Sequence, residues 1–125
     1  LNKLEYFNKE CNKEVMKLRN DTLGGKIVKK NETYTVVDNT SLQNLVVSKT
    51  ILHPTKATTG HKHPGQEEVY HFIHGSGRMK VGKSIFSVKA GDIVLIPDGY
   101  FHKVFNDSDV EDCVFICVFD GSRTH

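Results

Sequence analysis

Cysteine is scarce in this 125-residue chain, which carries only Cys11, Cys113 and Cys117. An odd, sparse set builds no disulfide framework and fits a reducing cytosol, so a cytoplasmic protein is expected. The spacing does not suit a structural zinc site made of cysteines either. Charge of one sign is equally short. Seventeen basic residues against fifteen acidic leave a net charge of +2. The basic residues are scattered among the acids, which excludes an electrostatic footprint for nucleic acid or an anionic membrane. No run of about 18 apolar residues is present to cross a bilayer, and no secretory signal pattern is visible. What remains is the composition of one soluble globular domain, 38% hydrophobic and 26% charged, with enough chain for a real core.

The first 25 residues read as a helical extension. Leu4, Phe7, Cys11, Val15 and Leu18 recur at three- and four-residue spacing, which places them on one helix face. Gly24 and Gly25 end that helix. The apolar face is expected to pack on the outside of the domain or to dock on a partner chain. From Lys26 onward the helical period vanishes. Runs rich in Val, Ile, Thr, Tyr and Phe alternate with turn signals, from "KIVKK" at residue 26 to "CVFICVF" ending at residue 119. Nine such runs predict an all-β sandwich or barrel over residues 26–125. No internal repeat, low-complexity tract or linker breaks this region.

The chemistry is concentrated in "GHKHPGQEEVYHFIHG" and "GDIVLIPDGYFHKVFN". If His61 and His63 sit on a strand, their two-residue offset points both imidazoles to one face. Pro64 and Gly65 then make a turn. In the following strand Glu68, Tyr70 and Phe72 share one face; Glu67, Val69, His71 and Ile73 share the other. Tyr70 and Phe72 suit an enclosed interior, so Glu68 is the inward carboxylate and Glu67 the solvated one. His71 and His74 are expected to lie away from the site. Pro97, Asp98 and Gly99 form a tight turn able to bring His102 back towards the first cluster. Cys113 and Cys117 share a face of the last strand, and Cys117 lines the cavity if that face points inward. Arg78 is read as a surface residue, although its fork could take an anion.

These two stretches resemble the two motifs of the cupin family. His61, His63, Glu68 and Gly75 match the first; Gly91, Pro97, Gly99, His102 and Asn106 match the second. At about 5% usage per residue type, nine spaced matches are not coincidence. One position departs: Thr55 stands where the family usually has glycine, which puts a turn conformation in question. The resemblance covers about Val46 to Phe119. It implies a double-stranded antiparallel β-helix, the jelly-roll or cupin barrel, holding one divalent transition metal on His61, His63, Glu68 and His102. Three imidazoles and a carboxylate suit Mn, Fe, Co, Ni, Cu or Zn and leave open positions for a small-molecule substrate.

Three functions are compatible with that reading. "TTGHKHP", "EVY" and "GSGRM" are similar to the corresponding stretch of cupin-type sugar-phosphate isomerases. This favours a metal-dependent isomerase, epimerase or lyase on a small polar substrate, with Glu68 and Tyr70 as catalytic groups. No obvious phosphate-binding cluster accompanies the resemblance. Small cupins with the same four ligands also resemble iron or manganese dioxygenases. The third possibility is a barrel that binds a ligand without catalysis, as a sensor. A homodimer is expected from an open sheet edge and an added N-terminal segment.

Overall fold

The computed structural model describes residues 15–121. Nine strands follow in chain order: β1 (Lys26–Lys30), β2 (Tyr34–Asn39), β3 (Leu45–Leu52), β4 (Glu68–His74), β5 (Ser76–Val81), β6 (Ser84–Lys89), β7 (Ile93–Ile96), β8 (His102–Phe105) and β9 (Cys113–Asp120). All nine predicted runs are strands. They form a six-stranded sheet in the order β1-β2-β3-β9-β4-β7 and a three-stranded sheet in the order β6-β5-β8. Every pairing is antiparallel. Because β3 pairs with β9 and β9 with β4, chain ends distant in sequence meet at the centre of the large sheet. This is the expected all-β jelly roll.

Alternation decides what lies inside. In β4 the burial pattern places Glu68, Tyr70 and Phe72 inward and leaves Val69 and His71 exposed. In β9 Cys113, Phe115 and Cys117 are buried. Phe72, Phe115, Leu52, Met79, Val104 and Cys113 are sealed from solvent, each large side chain adding about 1.5–3 kcal/mol by burial. Tyr70 stacks on Phe115 with ring centroids 5.1 Å apart, and Phe72 tilts against Phe115 at 5.2 Å.

The glycines of the two motifs explain themselves structurally. Gly75 has φ +76° between β4 and β5, and a Cβ there would run into the Asp112 carbonyl. Thr55 sits at φ +68° with its N–H donating to the Ser108 carbonyl at 2.8 Å. The left-handed turn that glycine would make freely is therefore kept by a β-branched residue, at a cost of about 1–2 kcal/mol.

Most of the expected N-terminal helix, including Leu4, Phe7 and Cys11, lies outside the described residues. Its C-terminal part does not hold: residues 15–19 are not helical, and Val15 and Leu18 are exposed. Side chains of the sheet hold the turn that follows this stretch. Asn39 Nδ2 donates to the Leu23 carbonyl at 2.9 Å, and Lys49 Nζ donates to the Asp21 carbonyl at 2.9 Å. Leu23 is buried, and the chain turns at Gly24, φ +56°. Among the described residues, no helix is long and apolar enough to cross a membrane.

Candidate metal centre

His61 and His63 lie in the segment joining β3 to β4, and neither belongs to a strand. The expectation of two strand histidines is corrected here, for a physical reason. Residues 56–61 run beside β8 as an irregular ribbon, held by Asn106 N–H to Lys56 O at 2.8 Å and Thr58 N–H to Val104 O at 2.9 Å. The Thr58 hydroxyl also takes the Val104 N–H at 3.0 Å, a side chain replacing a ladder bond. His61 then forms a single bridge with His102: His102 N–H donates to His61 O at 2.9 Å and His61 N–H to His102 O at 3.2 Å. Direct opposition in an antiparallel pair puts their side chains on one side.

His63 follows where the chain turns at Pro64 and Gly65. Gln66 N–H closes that turn on His63 O at 3.0 Å. The second predicted turn, Pro97 to Tyr100, is closed by Tyr100 N–H to Pro97 O at 3.2 Å. Asp98 ties the two turns together by accepting the Gly65 N–H at 2.6 Å. Residues more than thirty positions apart are thus fixed side by side.

The imidazoles of His61, His63 and His102 converge, with one nitrogen from each lying within 4.8 Å of the others. Their ring centroids are 5.0, 5.4 and 5.9 Å apart. Glu68 Oε1 lies 3.4 Å from His102 Nε2 and 3.9 Å from His63 Nε2. With bonds of about 2.1 Å, donors around one ion stand about 3 Å apart at right angles and about 4.2 Å apart when opposed. The two Glu68 spacings fall between these values, and the histidine nitrogens, within 4.8 Å of one another, would draw together around an ion.

His102 provides a sharper test of fit. Its Nδ1 is 3.0 Å from the Tyr100 carbonyl, so Nδ1 carries the proton and Nε2 presents a lone pair. That Nε2 is buried and has no hydrogen-bond partner. Its polar neighbour Glu68 Oε1 stands at 3.4 Å, outside hydrogen-bond geometry; an ion at the convergence point would engage both groups. The Tyr100 carbonyl is the outer partner that fixes a ligating histidine. Burial lowers the proton affinity of His102, but the Glu68 carboxylate and the Tyr100 carbonyl outweigh it and hold the imidazole above its usual value. The three histidines can therefore hold a metal ion.

The centre opens on a cavity of about 320 Å³ lined by Glu68, Tyr70, Phe115 and Cys117 among others. Burial, then Cys117 and Glu68, drives the Tyr70 phenol well above its ordinary value, so it remains a proton donor. Burial likewise pushes the Cys117 thiol up. His71 and His74 lie outside, as expected; His74 pairs with Glu111 at 3.8 Å. Arg78 is an exposed residue forked onto Asp107 at 2.7 and 2.9 Å. Asn106 is no ligand: it is buried and its amide donates to the carbonyls of Leu52, His53 and Glu111. Sequence reasoning missed Asp38, Ser48 and Thr50, which also line the cavity. Alternation in β2 and β3 was the available signal, but it needed the register between them.

The cupin domain family matches residues 49–119, and the chain belongs to that family. An uncharacterised protein of Methanocaldococcus jannaschii is 35% identical over 74 residues, covering 59% of this chain. The match spans about half of that relative, 53% of its length. A cupin-2 domain protein of Rhodospirillum rubrum superposes with a TM-score of 0.72 at 19% identity, over 88% of this chain and 77% of that one. A predicted oxalate decarboxylase of Thermotoga maritima gives 0.68 at 21% identity, over 84% and 98%. Bacillus subtilis oxalate decarboxylase, a protein with Mn(II) centres, gives 0.70 at 24% identity, over 83% of this chain and 30% of that one. At these identities the likeness is one of fold.

Proposed function

We propose that this chain is a metal-dependent enzyme, an isomerase or epimerase acting on a small polar, sugar-like molecule. The observation that carries the reading is the convergence of the His61, His63 and His102 nitrogens, with the buried Nε2 of His102 3.4 Å from Glu68 Oε1, beside the cavity. His61, His63 and His102 would hold the ion with Glu68 as fourth ligand. Manganese is the first ion to test, because a structural neighbour is described with Mn(II) centres. When bound, the metal supplies Lewis acidity to a substrate carbonyl.

The protein groups do the rest. Tyr70 keeps its proton and donates a hydrogen bond to the substrate oxygen where negative charge grows. Glu68 takes a proton on Oε2 from the hydroxyl-bearing carbon beside the carbonyl and returns it to the former carbonyl carbon, while the hydroxyl proton crosses to the former carbonyl oxygen. Phe115 and Tyr70 keep bulk water from that exchange, since both are buried against the His102 side of the cavity. For the lyase branch of the same reading, the attraction for a small dianion such as oxalate would have to come from the metal itself. Among the described lining residues the only cation is Lys29, which is exposed, while Asp38 and Glu68 are anionic.

The same donors would also serve a dioxygenase. The deciding experiment follows aldose and ketose interconversion by the manganese- and iron-loaded protein with and without dioxygen. Turnover that is unchanged under argon supports the isomerase; turnover with stoichiometric oxygen uptake rejects it for the oxygenase. A barrel that binds sugars without turnover under either condition would be a sensor.

A further inference from the structure

Register assembles a polar row across the inner face of the large sheet. Asp38 stands opposite Ser48, Ser48 opposite Cys117, and Cys117 opposite Tyr70. All four line the cavity that ends at the metal centre. The adjacent row, Val36, Thr50, Phe115 and Phe72, is mostly apolar. With strands about 4.8 Å apart, the polar row spans about 14 Å from Asp38 to Tyr70.

Barrel interiors at such positions are ordinarily filled by aliphatic side chains, and a carboxylate placed there is unfavourable without partners. Asp38 has one: the Ser48 hydroxyl donates to its Oδ1 at 2.6 Å. An ionised carboxylate only accepts, and it has about four lone-pair sites. Ser48 fills one of them. Asp38 is half-buried, so the remainder are open to water or to donors from whatever occupies the cavity, and they repel a second carboxylate. Lys29, the single cation among the described lining residues, is drawn away from this row: its Nζ lies 3.4 Å from the Tyr34 hydroxyl and over that ring. The cavity's 320 Å³ equals about ten waters' share of the liquid, the size of a five- or six-carbon molecule.

We infer that this row is a hydroxyl-recognising wall, with Asp38 as its selecting residue. It fits the cavity to a neutral polyhydroxylated ligand and against a dicarboxylate of equal length. The inference rests on the metal centre above, which receives the other end of the ligand.

The test uses xylitol and glutarate, two five-carbon probes that differ in charge. Each is titrated into the manganese-loaded full chain, and broadening of the probe's NMR lines by Mn(II) reports binding. Because Mn(II) itself attracts a carboxylate, the readout is the ratio of xylitol to glutarate affinity in the wild type against each variant. Asp38→Asn should weaken xylitol by about tenfold with metal content unchanged, and Asp38→Lys should shift the ratio further towards glutarate. Circular dichroism and metal content identify a variant that fails to fold; Ser48→Ala then replaces it, and it too should weaken xylitol. An affinity ratio that Asp38→Lys leaves unchanged, no detectable xylitol binding, or unchanged xylitol binding in Asp38→Asn overturns the inference. Should the chain take up no manganese, the metal reading fails separately. Calorimetry on the metal-free chain then decides: a xylitol preference lost in Asp38→Asn sustains the wall, and its absence rejects it.

Discussion

Replacing Asn106 with alanine tests how the second motif builds the site. The side chain is 2% exposed. Its Nδ2 donates to Glu111 O at 2.8 Å and Leu52 O at 3.0 Å, with His53 O sharing at 3.2 Å; its Oδ1 accepts the Ser108 N–H at 3.0 Å. One amide thereby joins the end of β3, the start of β8's exit loop and the approach to β9. Alanine leaves several polar groups in a space too buried for easy hydration, each costing about 1–3 kcal/mol before relaxation. Allowing for water entry, the loss is expected at about 3–5 kcal/mol, within the range for breaking a buried network. Urea denaturation followed by circular dichroism measures it. With an m-value of about 1–3 kcal/mol/M, the midpoint should fall by at least about 1 M. Asn106→Asp should fare no better, because it offers an acceptor to three carbonyls. A loss below about 1 kcal/mol in Asn106→Ala would refute the reasoning.

Thr55→Gly should stabilise the fold by about 0.5–1 kcal/mol, the relieved left-handed strain less the extra chain entropy of glycine; thermal melting that shows no gain would contradict the strain. In a Cys11→Ser background, Cys113 and Cys117 should resist a thiol reagent until the chain unfolds. Burial lifts the Cys113 thiol to about 11 and raises Cys117 further from its ordinary range, so at pH 8 only about 0.1% of Cys113 is thiolate; rapid labelling of the native protein would count against the burial of β9. Asp107→Asn should lower stability at neutral pH. Arg78 holds the Asp107 carboxyl below its ordinary value, so the contribution is present above about pH 4 and is lost as pH falls through the depressed folded value. The wild type and variant should converge in acid, and a difference that persists there would dispute the pairing.

Strand content was legible because period-two alternation is a local signal. The sequence "EEVYHFIH" alone sorts Glu68, Tyr70 and Phe72 from Glu67, Val69 and His71, and the burial pattern agrees. Spacing also brought His61, His63 and His102 into one site. The local form of the first pair was not legible, since the bridge from His61 to His102 and the Val104 N–H donated to the Thr58 hydroxyl depend on β8, some forty residues away. Nor could the sequence reveal the Asp38–Ser48–Cys117–Tyr70 row, which requires three registers at once. At Val15 and Leu18 a helical period was present, but both side chains are exposed, and the bonds from Asn39 and Lys49 fall on the following turn. The missing glycine at Thr55 proved harmless to the turn, because the Ser108 carbonyl holds its N–H in place.

The metal content of the full chain tests the central claim most directly. Elemental analysis of untagged protein, reconstituted with manganese and with iron, should find about one ion per chain. His61→Ala and His102→Ala should each lose it while keeping the wild-type circular dichroism spectrum. An ion retained in His102→Ala, or none bound by the wild type after reconstitution, would contradict the account.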